Sequence, residues 1–266
     1  MAATRILAPL FRIETPAGTA VWRALEWDTG ELGIPAARLD ALEVSGAYAE
    51  ARDQKLELLA MVLNECRKAG IRYLSARVDT GNLTTIHALE EAGFELIDGI
   101  QTFGILLSRN HSTMPPGTRL FESQDLSRVL EIARTAFTFD RFHADPALLR
   151  EVADQVNESW TRNCCLGISA DSVMVAEEEG LVASYVACRA DRENGCGIIV
   201  LVATAGWARQ RGAARRASSA ALHWFSAQGL QSVEVGTQLR NIPAACLYES
   251  LGFRLIRTSL TFRKIL

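Results

Sequence analysis

Apolar and polar positions in the second half of the chain follow strand and helix periods in a regular order. Two apolar, β-branched runs flank the acidic turn Glu178-Glu179-Gly180, which predicts a hairpin of two antiparallel strands. A nearly all-apolar strand and a long helix ending at Gly229 are predicted next. The predicted elements are strands at 172–177, 181–189, 197–204 and 232–236, helices over 212–228 and 242–251, and final strands beyond Gly252.

A further helix is predicted over 124–137, where Leu126, Val129 and Phe137 recur at helical spacing. Ser123 precedes it, and its hydroxyl is suited to capping a helix. The resulting order β-α-β-β-β-α-β-α-β predicts an α/β fold with a mixed, mostly antiparallel central sheet and flanking helices.

The chain contains an internal repeat, because residues 70–105 align with residues 229–264 without a gap. The first copy carries Glu50-Ala51-Arg52-Asp53 where the second carries Arg209-Gln210-Arg211-Gly212. Acid therefore stands in the first copy where the second has a glycine-containing basic loop. The asymmetry predicts a degenerate first domain and one working site, in the second domain.

A polar stretch with two prolines, residues 109–117, separates the two halves and predicts a linker. The predicted domains are therefore 1–108 and 118–266. A chain of 266 residues with 48% hydrophobic residues has enough apolar material for two cores of ordinary size.

The charge balance argues for small-molecule chemistry. A formal net charge of −3 and a pI near 5.9 provide no diffuse attraction to nucleic acid or to anionic lipid. An anionic ligand must then be bound by a specific local site. No apolar run approaches the ~20 residues that span a bilayer, and the N-terminal residues lack a continuous signal-peptide core. We therefore expect a cytoplasmic protein without nucleic-acid or membrane partners.

The six cysteines do not show metal-ligand spacing, so no metal site is predicted. Buried, reduced thiols are the simpler interpretation. They are Cys66, Cys164, Cys165, Cys188, Cys196 and Cys246.

Residues 200–214 run from an apolar strand through a tight loop into a helix. Backbone N–H groups at a helix N-terminus lack partners and carry roughly half a positive charge, which suits a phosphate. Small Gly212 and Ala214 permit close approach. Neither Gly-x-x-x-x-Gly-Lys-Ser/Thr nor Gly-x-Gly-x-x-Gly occurs here, so the common nucleotide-binding loops are not indicated.

The loop Arg-x-x-Gly-x-Ala, followed by a strand, an Asn, and a helix with Tyr before Gly-Phe, resembles the GNAT superfamily of N-acetyltransferases over residues 118–266. The resemblance implies acetyl-CoA as co-substrate. In that family the loop binds the diphosphate and a splayed strand pairs its backbone with pantetheine. The matching positions here are Val202, Thr204, Arg209, Gln210, Arg211, Gly212, Ala213, Ala214 and Asn241.

Three more stretches look like the dTDP-4-amino-sugar N-acetyltransferase family, which includes dTDP-fucosamine acetyltransferase. They are residues 27–34 (WDTGELGI), residues 140–146 (DRFHADP) and Trp160. Those enzymes carry a truncated, GNAT-like first domain, in agreement with the degenerate repeat. The resemblance implies a small-molecule amine as partner, with a nucleotide-linked amino sugar favoured, and is compatible with a homodimer.

Tyr248 stands where the GNAT family places a general acid that protonates the departing CoA thiolate. Because a thiol has a pKa near ~8.5 and a phenol near ~10, this transfer is only mildly uphill. The alternative is a core tyrosine, since Leu89 stands at the aligned position in the first copy.

Three residues are candidates for acceptor binding, each with a structural alternative. Arg141 could bind a nucleotide diphosphate or pair with a nearby carboxylate. Trp160 could stack on a base or fill core. His143 could contact the substrate or serve as a base, but a solitary histidine is more often structural.

Three functions remain open at this point. The favoured one is acetylation of a nucleotide-linked amino sugar by direct attack in a ternary complex. A second is acetylation of another small amine, such as an amino acid or a biosynthetic intermediate. The third is a protein that senses CoA without turnover.

Overall fold

The computed structural model describes residues 9–108 and 113–266, which fall into two compact units. Unit 1 contains the described residues up to Ile100 together with residues 144–148 and 258–266. Unit 2 contains residues 101–143, as far as they are described, and residues 149–257. Residues 109–112 of the predicted linker lie outside the described residues.

Unit 1 is a small sheet covered by helices. Its strand order is β1-β2-β3-β4, followed by the last part of β11 (Arg254–Ile265). The β3–β4 pairing is parallel and the other three pairings are antiparallel. Its elements are β1 (Leu10–Thr15), β2 (Gly18–Ala24), α1 (Glu26–Leu32), β3 (Ala36–Val44), α2 (Tyr48–Lys68), β4 (Tyr73–Asp79), α3 (Leu83–Glu91) and the start of β5 (Glu95–Leu106).

The core of unit 1 forms where α2 and α3 lie on the sheet. Leu58, Leu59 and Val62 of α2 are at most 1% exposed and pack with Leu89 of α3 and Phe262 of β11. The spacing of the α2 residues places them on one helix face, which explains why this helix is amphipathic. A C-terminal strand residue thus belongs to the core of unit 1.

Unit 2 is larger and contains a mixed sheet with the strand order β5-β10-β9-β8-β7-β6. Strands β9 and β10 are parallel. The pairings β6–β7, β7–β8 and β8–β9 are antiparallel. Its remaining elements are β6 (Thr118–Leu120), α4 (Leu126–Ala136), α5 (Arg141–Ala144), α6 (Arg150–Cys165), β7 (Ser172–Glu178), β8 (Leu181–Asp191), β9 (Cys196–Thr204), α7 (Ala213–Ala227), β10 (Ser232–Gln238), α8 (Ile242–Ser250) and the first part of β11 (Arg254–Ile265).

Alanine is abundant on the face that α7 buries, where Ala217, Ala220 and Ala221 are not exposed. Small side chains bring the helix close to the sheet, and alanine also has the highest helix propensity. At Gly197 of β9, an added Cβ would lie only 2.5 Å from the ring of Phe225. Close approach of α7 therefore requires glycine there.

The structure confirms the hairpin, the third strand, both later helices and the mixed sheet, with ends shifted by one or two residues. Two local predictions were wrong, and one helix was missed. Glu122, not Ser123, begins the helical segment, because its carboxylate and that of Asp125 form a reciprocal capping box. Helix α6, polar on one face, was not predicted, and the final strands are one strand, β11.

The two units share a sequence of elements: β2-β3-α2-β4-α3-β5 corresponds to β8-β9-α7-β10-α8-β11. The last strand of each series starts in one unit and ends in the other. The compact units therefore differ from the predicted division at residues 109–117. None of the helices in the described parts of the chain is long and apolar enough to cross a membrane.

Candidate active site

Strands β9 and β10 diverge at the centre of unit 2. Their parallel pairing ends at Val235 and Ile199, although β9 continues to Thr204. The register between β8 and β9 shifts at the same place, because Ala187 faces Leu201 while Cys188 faces Ile199. Val200 is thus the extra residue of a β-bulge, which bends the strand. Beyond it, β9 has no register partner in β10 among the described residues, so its backbone edge is open.

Val202 and Thr204 lie on this open part of β9, opposite Val186 and Ser184 of β8. The hydroxyls of Thr204 and Ser184 are hydrogen-bonded at 2.9 Å, and Ser184 also donates to the carbonyl of Ala203. These contacts anchor β9 on the β8 side, while its other edge can pair with an extended ligand.

The loop after β9 presents backbone N–H groups. A short 3₁₀ helix, Gly206–Ala208, precedes Arg209, and α7 begins at Ala213. Gln210 and Gly212 have φ angles of +64° and +81°, which turn successive amides toward one side. Among the described residues, the amides of residues 211–215 have no hydrogen-bond partner; the first paired amide is that of Arg216, bound to the Gly212 carbonyl.

The loop is anchored by small buried side chains and exposes its charged ones. Ala208 and Ala213 are each 1% exposed and pack in the core of unit 2, whereas Arg209, Gln210 and Arg211 are exposed. Arg209 makes no ion pair with any residue that the structure describes. Ala214 is half-buried. A rigid loop with unpaired amides, close to a free guanidinium, suits an anionic ligand.

Asn241 has a structural task. Its side-chain oxygen accepts a hydrogen bond from the Ala244 amide at 3.3 Å, and its Nδ2 donates to Thr237 at 3.0 Å. It therefore caps α8, as Asn82 caps α3 in unit 1 by accepting from the Thr85 amide. The capping role explains why both copies carry Asn there.

Tyr248 lies on α8 and is 4% exposed. Its ring packs against Phe103 and Phe253, with centroids 5.8 Å away in each case. Burial raises the pKa of the Tyr248 phenol, so the hydroxyl keeps its proton at neutral pH. Leu89, at the aligned position of unit 1, is fully buried in a purely apolar setting.

His143 is held between two carboxylates. Its Nδ1 lies 2.6 Å from Asp140 and its Nε2 lies 2.9 Å from Asp154, and its side chain is 7% exposed. Asp140 also accepts from Asn157 at 3.0 Å. This network fixes α5 on α6, so the geometry favours the structural alternative for His143 over substrate contact.

The other two acceptor candidates also make contacts inside unit 2. The guanidinium of Arg141 lies over the ring of Phe142, 4.4 Å from its centroid. Trp160 is half-buried and packs on the core cluster that contains Val129 and Ile132. These contacts leave the acceptor roles of Arg141 and Trp160 as predictions.

Sequence reasoning missed a buried charge network in unit 1. Arg263 of β11 donates to both carboxylate oxygens of Asp145, at 2.7 and 3.1 Å, and the hydroxyl of Tyr73 donates to it at 2.8 Å. An arginine inside the apolar end of β11 was the available signal, because a buried arginine requires a carboxylate.

The free thiols are not uniformly buried. Cys66, Cys164 and Cys188 are buried, but Cys165 and Cys196 are partly exposed and Cys246 is exposed. Burial raises the pKa of the thiols of Cys66, Cys164 and Cys165 to about 12, so they stay protonated at neutral pH.

Comparison with known proteins gives a consistent picture. The profile of the acetyltransferase (GNAT) family matches residues 126–253. The spore coat polysaccharide biosynthesis protein SpsD of Bacillus subtilis (strain 168) is 32% identical over 132 residues, which are 50% of this chain and 45% of SpsD. This chain thus spans less than half the length of SpsD.

A second relative, dTDP-fucosamine acetyltransferase of Escherichia coli O6:H1, is 23% identical over 180 residues, covering 67% of this chain and 75% of that protein. A solved tandem GNAT protein from the clavulanic acid biosynthesis pathway has a TM-score of 0.61 at 14% identity, over 94% of this chain and 79% of that one. At this identity the likeness shows the fold, which is the predicted one. The segment that carries the splayed strands and the loop before α7, residues 126–253, is therefore a GNAT acetyltransferase domain.

Proposed function

We propose that unit 2 transfers the acetyl group of acetyl-CoA, the co-substrate of the GNAT family, to a primary amine of a small molecule. One observation carries the proposal. The unpaired amides of residues 211–215 follow β9, whose edge toward β10 opens beside a bulge. A ligand that is extended at one end and doubly anionic at the other matches this arrangement.

The donor binds along the open edge of β9 and on the loop. Backbone groups of Val202 and Thr204 pair with pantetheine, and the amides of the loop hold the diphosphate. Arg209 adds a charged donor. Asn241 supports the site through the cap of α8 rather than by direct contact with the coenzyme. The loop residues of this proposal are Arg209, Gln210, Arg211, Gly212, Ala213 and Ala214.

The chemistry is a direct attack in a ternary complex. The lone pair of the amine attacks the thioester carbonyl carbon, and a backbone amide of β9 stabilises the oxyanion. The C–S bond then breaks, the thiolate takes the proton of Tyr248, and the extra proton of the new amide passes to water, which returns a proton to Tyr248. An amine with a pKa near ~8 is already partly neutral, so a water relay is sufficient.

The favoured acceptor is a nucleotide-linked amino sugar. Support comes from the names of the two relatives, one a dTDP-fucosamine acetyltransferase and one a polysaccharide biosynthesis protein. Arg141 and Trp160 remain candidates for acceptor contacts. His143, held between Asp140 and Asp154, suits a positioning role instead. Acetylation of another small amine uses the same donor site and is the second candidate.

An acceptor panel tests the proposal. The full chain is incubated with acetyl-CoA and dTDP-linked amino sugars, free amino sugars, amino acids or polyamines, and released thiol is measured. Thiol release dependent on a dTDP-linked amino sugar is the expected result. Release with a different amine selects the second candidate, and tight CoA binding without release for any amine selects a CoA sensor.

Gly212→Ala is expected to weaken CoA binding roughly tenfold, because a side chain at φ +81° costs about 1–2 kcal/mol and shifts the loop amides. Gly206→Ala is the matched control in the same loop, since its Cβ would meet no atom within 4 Å. Calorimetry with CoA measures both variants. Equal affinities would show that the αL backbone at position 212 does not hold the coenzyme.

The chain is expected to bind one CoA molecule. Residues 50–55 of unit 1, which align with the loop, lie inside α2, where the amides are bonded from Ala51 onward; that of Ala51 binds the Ala47 carbonyl at 2.8 Å. The ammonium group of Lys55 lies beside α3 and donates three hydrogen bonds, to the side chains of Asn82, Thr84 and Thr85. The nearby cavity of about 200 Å³ is lined by three carboxylates, those of Asp40, Glu43 and Asp79.

Titration calorimetry measures this stoichiometry directly. A second CoA per chain would contradict the assignment of a single donor site to unit 2. A homodimer, compatible with the resemblance, stays a prediction that sedimentation checks in the same samples.

A further inference from the structure

Three consecutive glutamates end β7 and begin the turn to β8, and each is paired with an arginine. We call residues 177–180 the hairpin tip. Glu177 pairs with Arg119 at 2.7 Å, Glu178 with Arg216 at 2.6 Å and Glu179 with Arg211 at 3.6 Å. Two of these arginines belong to the loop and the first turn of α7, beside the proposed diphosphate site.

Arg216 connects the hairpin tip to the loop. Its Nη2 donates to the Glu178 carboxylate at 2.6 Å and to the Glu177 carbonyl at 2.9 Å, and its Nη1 donates to the Arg211 carbonyl at 3.4 Å. The side chains of Arg216 and Glu178 are each 27% exposed. A half-buried, charge-assisted contact of this kind restricts both partners.

The bond to the Arg211 carbonyl has a consequence for the donor site. In a trans peptide the C=O and N–H groups point in opposite directions. Because Arg216 binds the Arg211 carbonyl, the N–H of Gly212 in the same peptide unit points away from Arg216. The contact thus presents that N–H as a donor for a ligand.

The pair formed by Arg211 and Glu179 differs in kind. Its atoms are 3.6 Å apart, beyond hydrogen-bond distance, and the side chains are 53% and 78% exposed. Pairs this exposed contribute little and are screened by salt. Arg211 can therefore leave Glu179 for a phosphate at low cost.

We propose that these neighbouring glutamates act on coenzyme affinity with opposite sign: Glu178, through Arg216, positions the loop, whereas Glu179 competes with the coenzyme for Arg211. The inference rests on the proposed donor site. It makes the hairpin tip part of that site, although neither carboxylate touches the coenzyme. Glu178 and Arg216 are positioning residues, and Glu179 sets affinity.

The opposite effects of Glu178 and Glu179 on coenzyme affinity distinguish this proposal from simple repulsion between each carboxylate and the anionic coenzyme. If each carboxylate only repelled an anion through space, both neutral variants would bind CoA more tightly. If Glu178 positions the loop, Glu178→Gln weakens CoA binding roughly tenfold, because the charge-assisted hydrogen bond from Arg216 is lost. Glu179→Gln tightens binding about two- to fivefold, and the gain shrinks as salt is added.

Calorimetry with CoA on the full chain measures these variants. Arg216→Lys keeps the charge but cannot bridge three acceptors, so it is expected to weaken binding as Glu178→Gln does. Glu193→Gln, at the exposed turn between β8 and β9, is the matched neutralisation control and leaves affinity unchanged. Thermal melts of each variant identify any loss of folding, in which case Arg216→Lys carries the test.

A second readout reports the diphosphate contact alone. S-acetylpantetheine lacks the diphosphate, so its kcat/KM is expected to be the same in wild type and in the two glutamine variants. Tighter binding of CoA by both variants, or no change in either, would overturn the inference. Failure of the wild-type chain to bind CoA would instead overturn the proposed donor site.

Discussion

Tyr248→Phe is expected to lower kcat for acetyl transfer by about 10²–10⁴-fold while CoA affinity stays the same. Phenylalanine keeps the ring that packs against Phe103 and Phe253, so α8 and the donor site keep their shape. Only the proton donor for the departing thiolate is removed. The reaction must then release a thiolate or take a proton from water.

The pH dependence follows from the direction of the pKa shift. Because burial raises the pKa of Tyr248 above the ~10 of a free phenol, the acid form persists through neutral and mildly alkaline pH. Loss of activity through deprotonation of Tyr248 is therefore expected only above about pH 10. An activity loss below that pH must come from another group.

Steady-state kinetics and CoA calorimetry on the same samples check this expectation. Tyr185→Phe is the matched control, because Tyr185 is fully buried and its hydroxyl shares a 2.8 Å hydrogen bond with Thr161. That variant is expected to lose stability and keep its kcat. Wild-type turnover in Tyr248→Phe would remove Tyr248 from the mechanism.

Asp145→Asn is expected to lower the free energy of unfolding by about 3–5 kcal/mol, because it leaves the buried guanidinium of Arg263 without its carboxylate. Asp145 is 2% exposed and Arg263 4%. Of its ion pairs with residues that the structure describes, Arg263 then keeps the one with the exposed Glu95, at 3.1 Å. The change removes the negative partner of an ion pair that joins β11 to residues 144–148 in unit 1.

Burial alone would raise the pKa of the Asp145 carboxyl, but hydrogen bonds from Arg263, the Ala147 amide and Tyr73 outweigh it and hold the pKa below its usual value. A carboxyl with a lowered pKa stabilises the fold above its unfolded value of 3.8. This contribution is lost as the pH falls through the folded pKa. The Asn variant should therefore lose less stability than wild type as the pH falls below about 4.

Urea unfolding at neutral and acid pH measures both effects. Asp53→Asn is the control, since the pair of Asp53 with Arg52 is exposed and its loss is expected to change the free energy of unfolding little. A similar small effect for Asp145→Asn at neutral pH would show that the buried pair does not stabilise unit 1.

The fold could be predicted where local signals were strong. The acidic turn before Gly180 and the apolar runs beside it specified a hairpin, and glycine after the long helix specified its end. The loop before α7 was identifiable because glycine, a preceding strand and a following helix are contiguous in sequence. Helix α6 was missed because its apolar positions are few.

Sequence periodicity and spacing determined the order of elements, the mixed sheet, the repeat and the loop suited to an anion, because these depend on residues close together in the chain. Tertiary structure alone decided that Val200 is the bulged residue and that Arg263 meets Asp145. It also decided that the hairpin tip pairs with Arg211 and Arg216. Such contacts join residues far apart in sequence, and charge patterns do not specify which distant partner a side chain meets.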